Sequence, residues 1–228
     1  MARDLNRPFS LFQAVAARKF LFLFLFLLGS LILYPFADSS RVGYYVFRVV
    51  SGAVILFCVY AVSMRRWVIL AAAALAIPAF ANRVFNLSVD ASALSILNIS
   101  LSFVFDAFVV VIIFRRVFAP GQPSAETIFG ALCIYLLVGF AFTSIFGMIS
   151  ILNAHAFYLD PVVNHHPHAD RFDFVYYSFA TMSSVGAVGI TPVSGEARSL
   201  TVIESVIGLL YLVVLISRLV AAYRHPVA

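Results

Sequence analysis

Residues 181–192 read Thr-Met-Ser-Ser-Val-Gly-Ala-Val-Gly-Ile-Thr-Pro, a short stretch that contains two glycines and no charged side chain. It follows an aromatic segment at 174–184 that is too short to cross a bilayer, and it precedes a long apolar segment at 199–222. Non-helical backbone at membrane depth is tolerated only where protein or a water-filled cavity encloses it. The stretch therefore predicts a re-entrant loop that several copies of the chain surround.

The composition of the chain is that of a membrane protein. Hydrophobic residues make up 63% of the 228 residues and charged residues only 11%, which is far from the usage of soluble globular domains. Cys58 and Cys133 fall inside apolar segments, where each is expected to be a small packing residue. The basic residues behind the net charge of +5 cluster at predicted helix ends, so nucleic acid is not an expected partner.

Six apolar segments are candidates for crossing the bilayer, which needs roughly 17 to 25 such residues. The third is the shortest and contains Pro78. No small-residue cleavage motif follows the first, so it is not expected to be a signal peptide. The fold class predicted is an all-α membrane protein, with a re-entrant pore helix and loop between the fifth and sixth helices. The predicted spans lie near 19–36, 43–64, 67–82, 94–114, 125–152 and 199–222.

The distribution of charge orients these spans. Ten of the 15 lysine and arginine residues fall on one side when both termini are placed there, and most acidic loop residues fall on the other with only a few arginines. The positive-inside rule assigns the basic side to the cytoplasm. We therefore expect an integral protein of the bacterial inner (plasma) membrane with cytoplasmic N- and C-termini.

The sequence Ala-Pro-Gly-Gln-Pro-Ser at 119–124 interrupts the apolar pattern. Its serine can cap a new helix that carries Glu126 in the first turn. We predict an accessory module of four transmembrane helices at 1–118, a linker at 119–123 and a pore module at 124–228.

The accessory module lacks the pattern of a voltage sensor. Such a sensor needs arginines at three-residue spacing along one transmembrane helix. The fourth span has none before Arg115 and Arg116 at its inner end. A typical voltage-sensing role is therefore not expected.

Five short motifs follow one another in the C-terminal part of the chain. They are Tyr-Tyr-Ser-Phe at 176–179, Ser-Ser-Val-Gly at 183–186, Ile-Thr-Pro at 190–192, Arg-Ser-Leu at 198–200 and Gly-Leu-Leu-Tyr at 208–211. In these motifs about the last hundred residues resemble the potassium-channel superfamily of single-pore-loop channels. The resemblance implies a homotetramer in the lipid bilayer, a cation channel rather than an enzyme, no cofactor, and K⁺ or Na⁺ as the permeant ion.

The resemblance also implies which residues form the selectivity filter. Without a gap, Ser184, Val185 and Gly186 align with the threonine, valine and first glycine of the family's filter. Rings of backbone carbonyl oxygens replace the hydration shell of an ion without placing fixed charges in the membrane. The expected ion-coordinating residues are Ser184, Val185, Gly186, Ala187, Val188 and Gly189.

Three further residues are assigned supporting roles. Thr181 precedes the filter, and Glu204 lies near the outer end of the last helix, where bracing the filter from behind is preferred over attracting cations. Gly208 lies 22 residues after Gly186, which is similar to the placement of the hinge glycine of the family's inner helix.

The outer half of the filter departs from the family's Thr-Val-Gly-Tyr-Gly-Asp. Ala187 replaces the tyrosine, Val188 the second glycine and Gly189 the aspartate. Valine is strongly disfavoured at positive φ, and alanine supplies no aromatic packing against the pore helix. A second register, with Gly189 as the first filter glycine, stays open.

These departures leave two functional alternatives to a potassium channel. One is a weakly selective or non-selective monovalent cation channel. The other is a potassium uptake protein, because the run Ser-Val-Gly-Ala-Val-Gly-Ile is similar to the filters of the Trk and Ktr transporters. Those transporters carry four such loops in one chain, whereas this sequence has one.

The outer loop contains three neighbouring histidines, His165, His166 and His168. Such a cluster could bind Zn²⁺ or sense protons, and a solvated loop is the simpler interpretation. An intramembrane metalloenzyme that uses this cluster with Asp160 or Asp170 is not favoured, because the ligands lie in a loop and no nucleophile or base motif lies on a helix.

Overall fold

The computed structural model describes residues 18–39, 45–46, 50, 52–55, 58, 74–76, 92–119, 124–164 and 169–223. In these residues the chain is mostly helical, with one small antiparallel sheet. The helices are α1 (Lys19–Ser39), α2 (Ser92–Val117), α3 (Ala125–Leu152), α4 (Arg171–Met182) and α5 (Gly195–Tyr223), and the strands are β1 (Phe157–Leu159) and β2 (Ile190–Pro192).

Three of these helices are long and apolar enough to cross a membrane. The stretches are Ser95–Val117, Ala125–Leu152 and Gly195–Arg218, at the positions predicted for the fourth, fifth and sixth spans. A shorter apolar stretch, Lys19–Leu33, lies where the first span was predicted. The fold is that of an all-α membrane protein. The predicted spans at 43–64 and 67–82 lie mostly outside the described residues, so the count of six helices stays a prediction.

Helix α3 is the centre of the described structure, since it contacts α1, α2, α4 and α5. Its N-terminus has the predicted cap: Thr127 N–H donates to Ser124 Oγ at 3.2 Å, and Ser124 N–H donates to Thr127 Oγ1 at 3.3 Å. The Glu126 carboxylate accepts a hydrogen bond from Phe20 N–H at 3.0 Å. Because the first N–H groups of a helix lack intrahelical partners, this bond fixes the start of α1 against α3.

An apolar core of buried side chains lies where α1, α2 and α3 pack together. Cys58 and Cys133 are both buried and form no disulfide, as their apolar surroundings predicted. Residues with at most 1% of their surface exposed include Leu23, Leu27, Val109, Ile113, Ile134 and Leu137.

Helix α4 lies against α3 and α5 and is too short to span a membrane. It begins at Arg171, three residues earlier than the predicted segment, because Asp170 caps it by accepting bonds from Phe172 N–H at 2.7 Å and Asp173 N–H at 2.9 Å. Edge-on aromatic contacts orient it: the ring centroids of Phe146 and Tyr177 are 5.0 Å apart, a favourable geometry for aromatic pairs.

The sheet joins the two ends of the region between α3 and α5. Phe157, Tyr158 and Leu159 of β1 pair with Pro192, Thr191 and Ile190 of β2. The sequence pattern did not predict these strands. Their pairing ties the loop that follows α3 to the chain that follows 184–189.

Candidate functional site

The segment 184–189, named here the filter loop, connects the end of α4 to β2 with non-helical backbone. Its φ angles are positive at Ser184 (60°), Gly186 (83°) and Gly189 (87°), and Ser184 is the only non-glycine residue of the described chain with a positive φ. Val188 does not adopt a positive φ, as its β-branched side chain requires. Two of the three left-handed positions of the loop therefore fall on its glycines, and the third falls on Ser184.

The inner half of the filter loop is attached to α4 through its N–H groups. Val185 N–H and Gly186 N–H both donate to Ala180 O, at 2.9 and 3.1 Å, and Ser184 N–H donates to Thr181 O at 3.0 Å. Carbonyl oxygens of 184–188 accept no hydrogen bond from any residue that the structure describes. Polar oxygens at membrane depth need a partner, so these five are available to a ligand that is not part of the chain.

The outer end of the filter loop is held by the chain itself. Gly189 O accepts hydrogen bonds from Asp160 N–H at 2.9 Å and from Asn164 Nδ2 at 2.7 Å. A carbonyl oxygen has two lone pairs, so both are in use. A Cβ atom on Gly189 would also lie only 2.9 Å from Val163 Cγ1. Of the six predicted filter residues, Gly189 is thus the one whose oxygen has protein donors.

A tyrosine of α4 supports the outer half of the loop. Val188 N–H donates to Tyr176 Oη at 2.9 Å, and Ala187 packs against the aromatic cluster that contains Phe146 and Tyr177. Tyr176 and Tyr177 carried the family resemblance, yet Tyr176 was not predicted as a support. No signal in the sequence indicates that its hydroxyl reaches a residue 12 positions later.

The two predicted supports lie behind the loop and are buried. Thr181 supplies the carbonyl that binds Ser184 N–H. Glu204 is 0% exposed, and its Oε1 forms a hydrogen bond with Ser178 Oγ of α4. Ser178 Oγ also lies 2.8 Å from Gly139 O of α3. These contacts bring α3, α4 and α5 together about one turn before the end of α4.

Gly208 lies at a close approach between α5 and the end of α4. A Cβ atom at this position would collide with the carbonyl oxygen of Met182 and lie 2.6 Å from Met182 Cγ. The role of Gly208 as a hinge stays a prediction. The structure gives it a packing role next to the residue that ends α4.

The matched family accounts for this arrangement. Residues 131–225, which span most of α3 and all of α4 and the filter loop, match the family model described as an ion channel. This segment is a potassium-channel superfamily pore domain. The match supports an ion-channel role in a lipid bilayer and implies ion transport rather than catalysis. Comparison with curated proteins and with solved structures finds no match.

The histidines of the predicted cluster, His165, His166 and His168, lie outside the described residues. Among the residues that are described, no group of three or more His, Cys, Asp or Glu side chains could hold a metal ion.

Replacing Tyr176 by phenylalanine tests the support of the outer half of the pore domain's filter loop. The change removes the acceptor of Val188 N–H and keeps the ring. A hydrogen bond of this kind is worth about 0.5–1.5 kcal/mol, so we expect the preference among permeant cations to fall by about two- to tenfold. Reversal potentials under K⁺ and Na⁺ gradients measure it. Tyr158→Phe, at an exposed tyrosine of β1, is the matched control, and equal effects of both changes would contradict the assignment.

Proposed function

We propose that the chain forms a homotetrameric channel that conducts potassium or other monovalent cations passively through the filter loop, with no cofactor. The observation that carries the proposal is the row of carbonyl oxygens at 184–188, which have no donors in the described chain. A ring of such oxygens replaces the hydration shell of a cation. K⁺ is the proposed permeant ion, and Na⁺ is the alternative.

The assembly follows from what one chain leaves uncovered. Val185 is 80% exposed and Val188 68% exposed in the isolated chain, although both belong to non-helical backbone that must be enclosed at membrane depth. One chain supplies one loop, and a cyclic oligomer closes a ring around an axis most simply. Helix α5 also exposes large apolar side chains, which lipid or neighbouring copies would cover; they include Val202, Val206, Leu209, Leu210 and Val213.

The ion ligands are best placed on Ser184, Val185, Gly186, Ala187 and Val188. Gly189 was expected among them, but its carbonyl oxygen is bound by Asp160 N–H and the Asn164 side chain. We therefore place Gly189 at the outer end of the filter, where it anchors the loop to the extracellular side. This assignment also favours the register in which Gly186 is the first filter glycine.

The division into modules is proposed with the same boundaries as in the sequence. An accessory module at 1–118, a linker at 119–123 and a pore module at 124–228 agree with a helix α3 that begins directly after the Ser124 cap. The modules contact each other at the inner end of α5, where Arg218 Nη2 donates to Ala119 O at 3.1 Å and the guanidinium lies 4.8 Å from the Phe118 ring centroid. From the distribution of the basic residues we infer that both termini lie on the cytoplasmic side of a bacterial inner membrane.

Reconstitution into liposomes tests the function. We expect passive flux of K⁺, Rb⁺ and Na⁺ with K⁺ preferred, measured by flux assays and by reversal potentials under K⁺ and Na⁺ gradients. Equal permeabilities to K⁺ and Na⁺ would contradict potassium selectivity and favour the non-selective alternative. Uptake that needs a second energy source would favour the Trk- and Ktr-like alternative. Absence of any passive flux would contradict the channel.

Val188→Gly tests the filter assignment in the same assay. It restores the glycine of the family's pattern at a residue that is 68% exposed in the isolated chain, so loss of packing in the fold is not expected. We expect selectivity to change, because glycine frees the backbone of the outer filter. Unchanged selectivity would contradict the placement of Val188 in the ion path.

A further inference from the structure

Glu204 is an acidic residue placed where a charge is costly. It lies in the membrane-spanning part of α5 and is 0% exposed. The titratable side chains that interact with it from the packed helices are Tyr135 of α3 and Tyr177 of α4, and neither is a cation. Its contacts in the described chain include no ion pair with Lys, Arg or His. A buried carboxylate without a cation is strongly destabilising.

The hydrogen bonds around Ser178 settle which group donates. The Ser178 hydroxyl has one hydrogen and contacts two oxygens, Glu204 Oε1 and Gly139 O, the latter at 2.8 Å. A backbone carbonyl can only accept, so the Ser178 hydrogen belongs to the bond with Gly139. The bond between Ser178 and Glu204 then needs a hydrogen from the carboxyl group.

The second carboxyl oxygen leads to the same assignment. Glu204 Oε2 is buried and has no hydrogen-bond partner in the described chain. In an ionised carboxylate this oxygen would carry half of a negative charge with no donor, whereas in a neutral acid it is an uncharged carbonyl oxygen. Burying the uncharged form costs far less free energy.

We propose that Glu204 is a positioning residue that works as a neutral carboxylic acid, so that one proton is a structural component of the pore domain. Its O–H donates to Ser178, and the Ser178 O–H donates to Gly139 O. These two bonds in series connect α5, α4 and α3. Because Ser178 lies two residues before Ala180, whose carbonyl holds two N–H groups of the filter loop, the proton positions the loop without touching the ion.

Loss of this proton has a defined consequence. The carboxylate would accept the hydrogen of Ser178, and Gly139 O would lose its bond to α4 while it keeps the hydrogen bond from Thr143 Oγ1 of its own helix at 3.0 Å. A buried negative charge would then remain with an unpartnered oxygen, which favours separation of α5 from α4 and entry of water. Ion flux should therefore fall reversibly as the pH becomes alkaline.

Infrared spectroscopy tests the protonation state without any assumption about transport. The full-length wild type and Glu204→Gln are compared in membranes at neutral pH. We expect the wild type to show a carbonyl stretching band of a protonated carboxyl group that Glu204→Gln lacks. If Glu204→Gln instead loses the bands of an ionised carboxylate, the inference is overturned, whether or not the protein conducts ions.

The pH profile of flux tests the positioning role and rests on the proposed function. We expect wild-type flux to fall about tenfold at alkaline pH, the effect of one lost buried hydrogen bond. Glu204→Gln should keep most of the neutral-pH flux and lose the pH dependence, because its amide donates to Ser178 at every pH. Glu204→Leu, which has no donor, should have low flux throughout.

Two results overturn the positioning role. One is a Glu204→Gln variant with the pH profile of the wild type. The other is Glu204→Leu with the neutral-pH flux of the wild type, since then no donor is needed. Absence of flux from the wild type as well as the variants would contradict the proposed channel, and the infrared comparison would still decide the protonation of Glu204.

Discussion

Replacing Gly208 by alanine should remove most ion flux and lower the thermal stability of the pore domain. The new Cβ atom would collide with the carbonyl oxygen of Met182 and lie 2.6 Å from Met182 Cγ. The side chain of Met182 can move, but its carbonyl oxygen is part of the backbone that ends α4. Overpacking of this kind costs about 1–3 kcal/mol. Because the filter loop starts two residues after Met182, the shift that relieves the collision also moves the ion path.

Gly195→Ala is the matched control for this prediction. Gly195 also lies in α5, and a Cβ atom there would meet nothing within 4 Å. Alanine is the better helix former by up to about 1 kcal/mol, so this variant should be as stable as the wild type or slightly more so. Thermal unfolding in detergent and liposome flux measure both variants.

The same experiment separates packing from the hinge that the sequence predicted. A hinge glycine supplies backbone freedom, so replacing it should alter opening and leave the stability of the closed structure nearly unchanged. If Gly208 is needed for close packing against Met182, the stability and the ion flux of Gly208→Ala should fall together. Wild-type stability of Gly208→Ala would contradict the contact with Met182.

Three long apolar helices could be predicted from the sequence, because their signal is local. A long apolar run bounded by polar residues is enough to locate α2, α3 and α5 within a few residues of their ends. Ser124 could be identified as the cap of α3 because the residues that satisfy its hydrogen bonds are three positions away. The family resemblance, which the match over residues 131–225 confirms, added the order of long helix, short helix, loop and long helix.

The contacts that hold the filter loop could not be predicted, because they join residues far apart in sequence. Strand β1 is three residues long and is defined only by pairing with β2, about thirty residues later. The bond from Asn164 to Gly189 crosses 25 positions. Glu204 was predicted as a support, but its partner Ser178 lies 26 positions earlier. Such pairs depend on the rotation and depth of α4, which hydropathy does not encode.

Replacing Gly186 by alanine should abolish or severely reduce ion flux while the protein still folds and assembles. Gly186 has φ = 83°, and a Cβ atom there would meet nothing within 4 Å. The cost is therefore conformational, about 1–2 kcal/mol in each copy, and not steric. Relief comes from turning the peptide plane between Val185 and Gly186. That rotation redirects the Val185 carbonyl oxygen, one of the proposed ion ligands, and occurs in every subunit of the ring.

Gly189→Ala provides the contrast that locates the ion path. Gly189 has a similar φ of 87°, but its Cβ atom would lie 2.9 Å from Val163 Cγ1 and 3.0 Å from Asn164 Nδ2. This variant should loosen the outer loop and lower thermal stability more than Gly186→Ala does. Size-exclusion chromatography, thermal unfolding and K⁺ flux measured on both variants distinguish the two effects. If Gly186→Ala conducts with the flux and selectivity of the wild type, the carbonyl oxygens of the filter loop do not line the path of the ion.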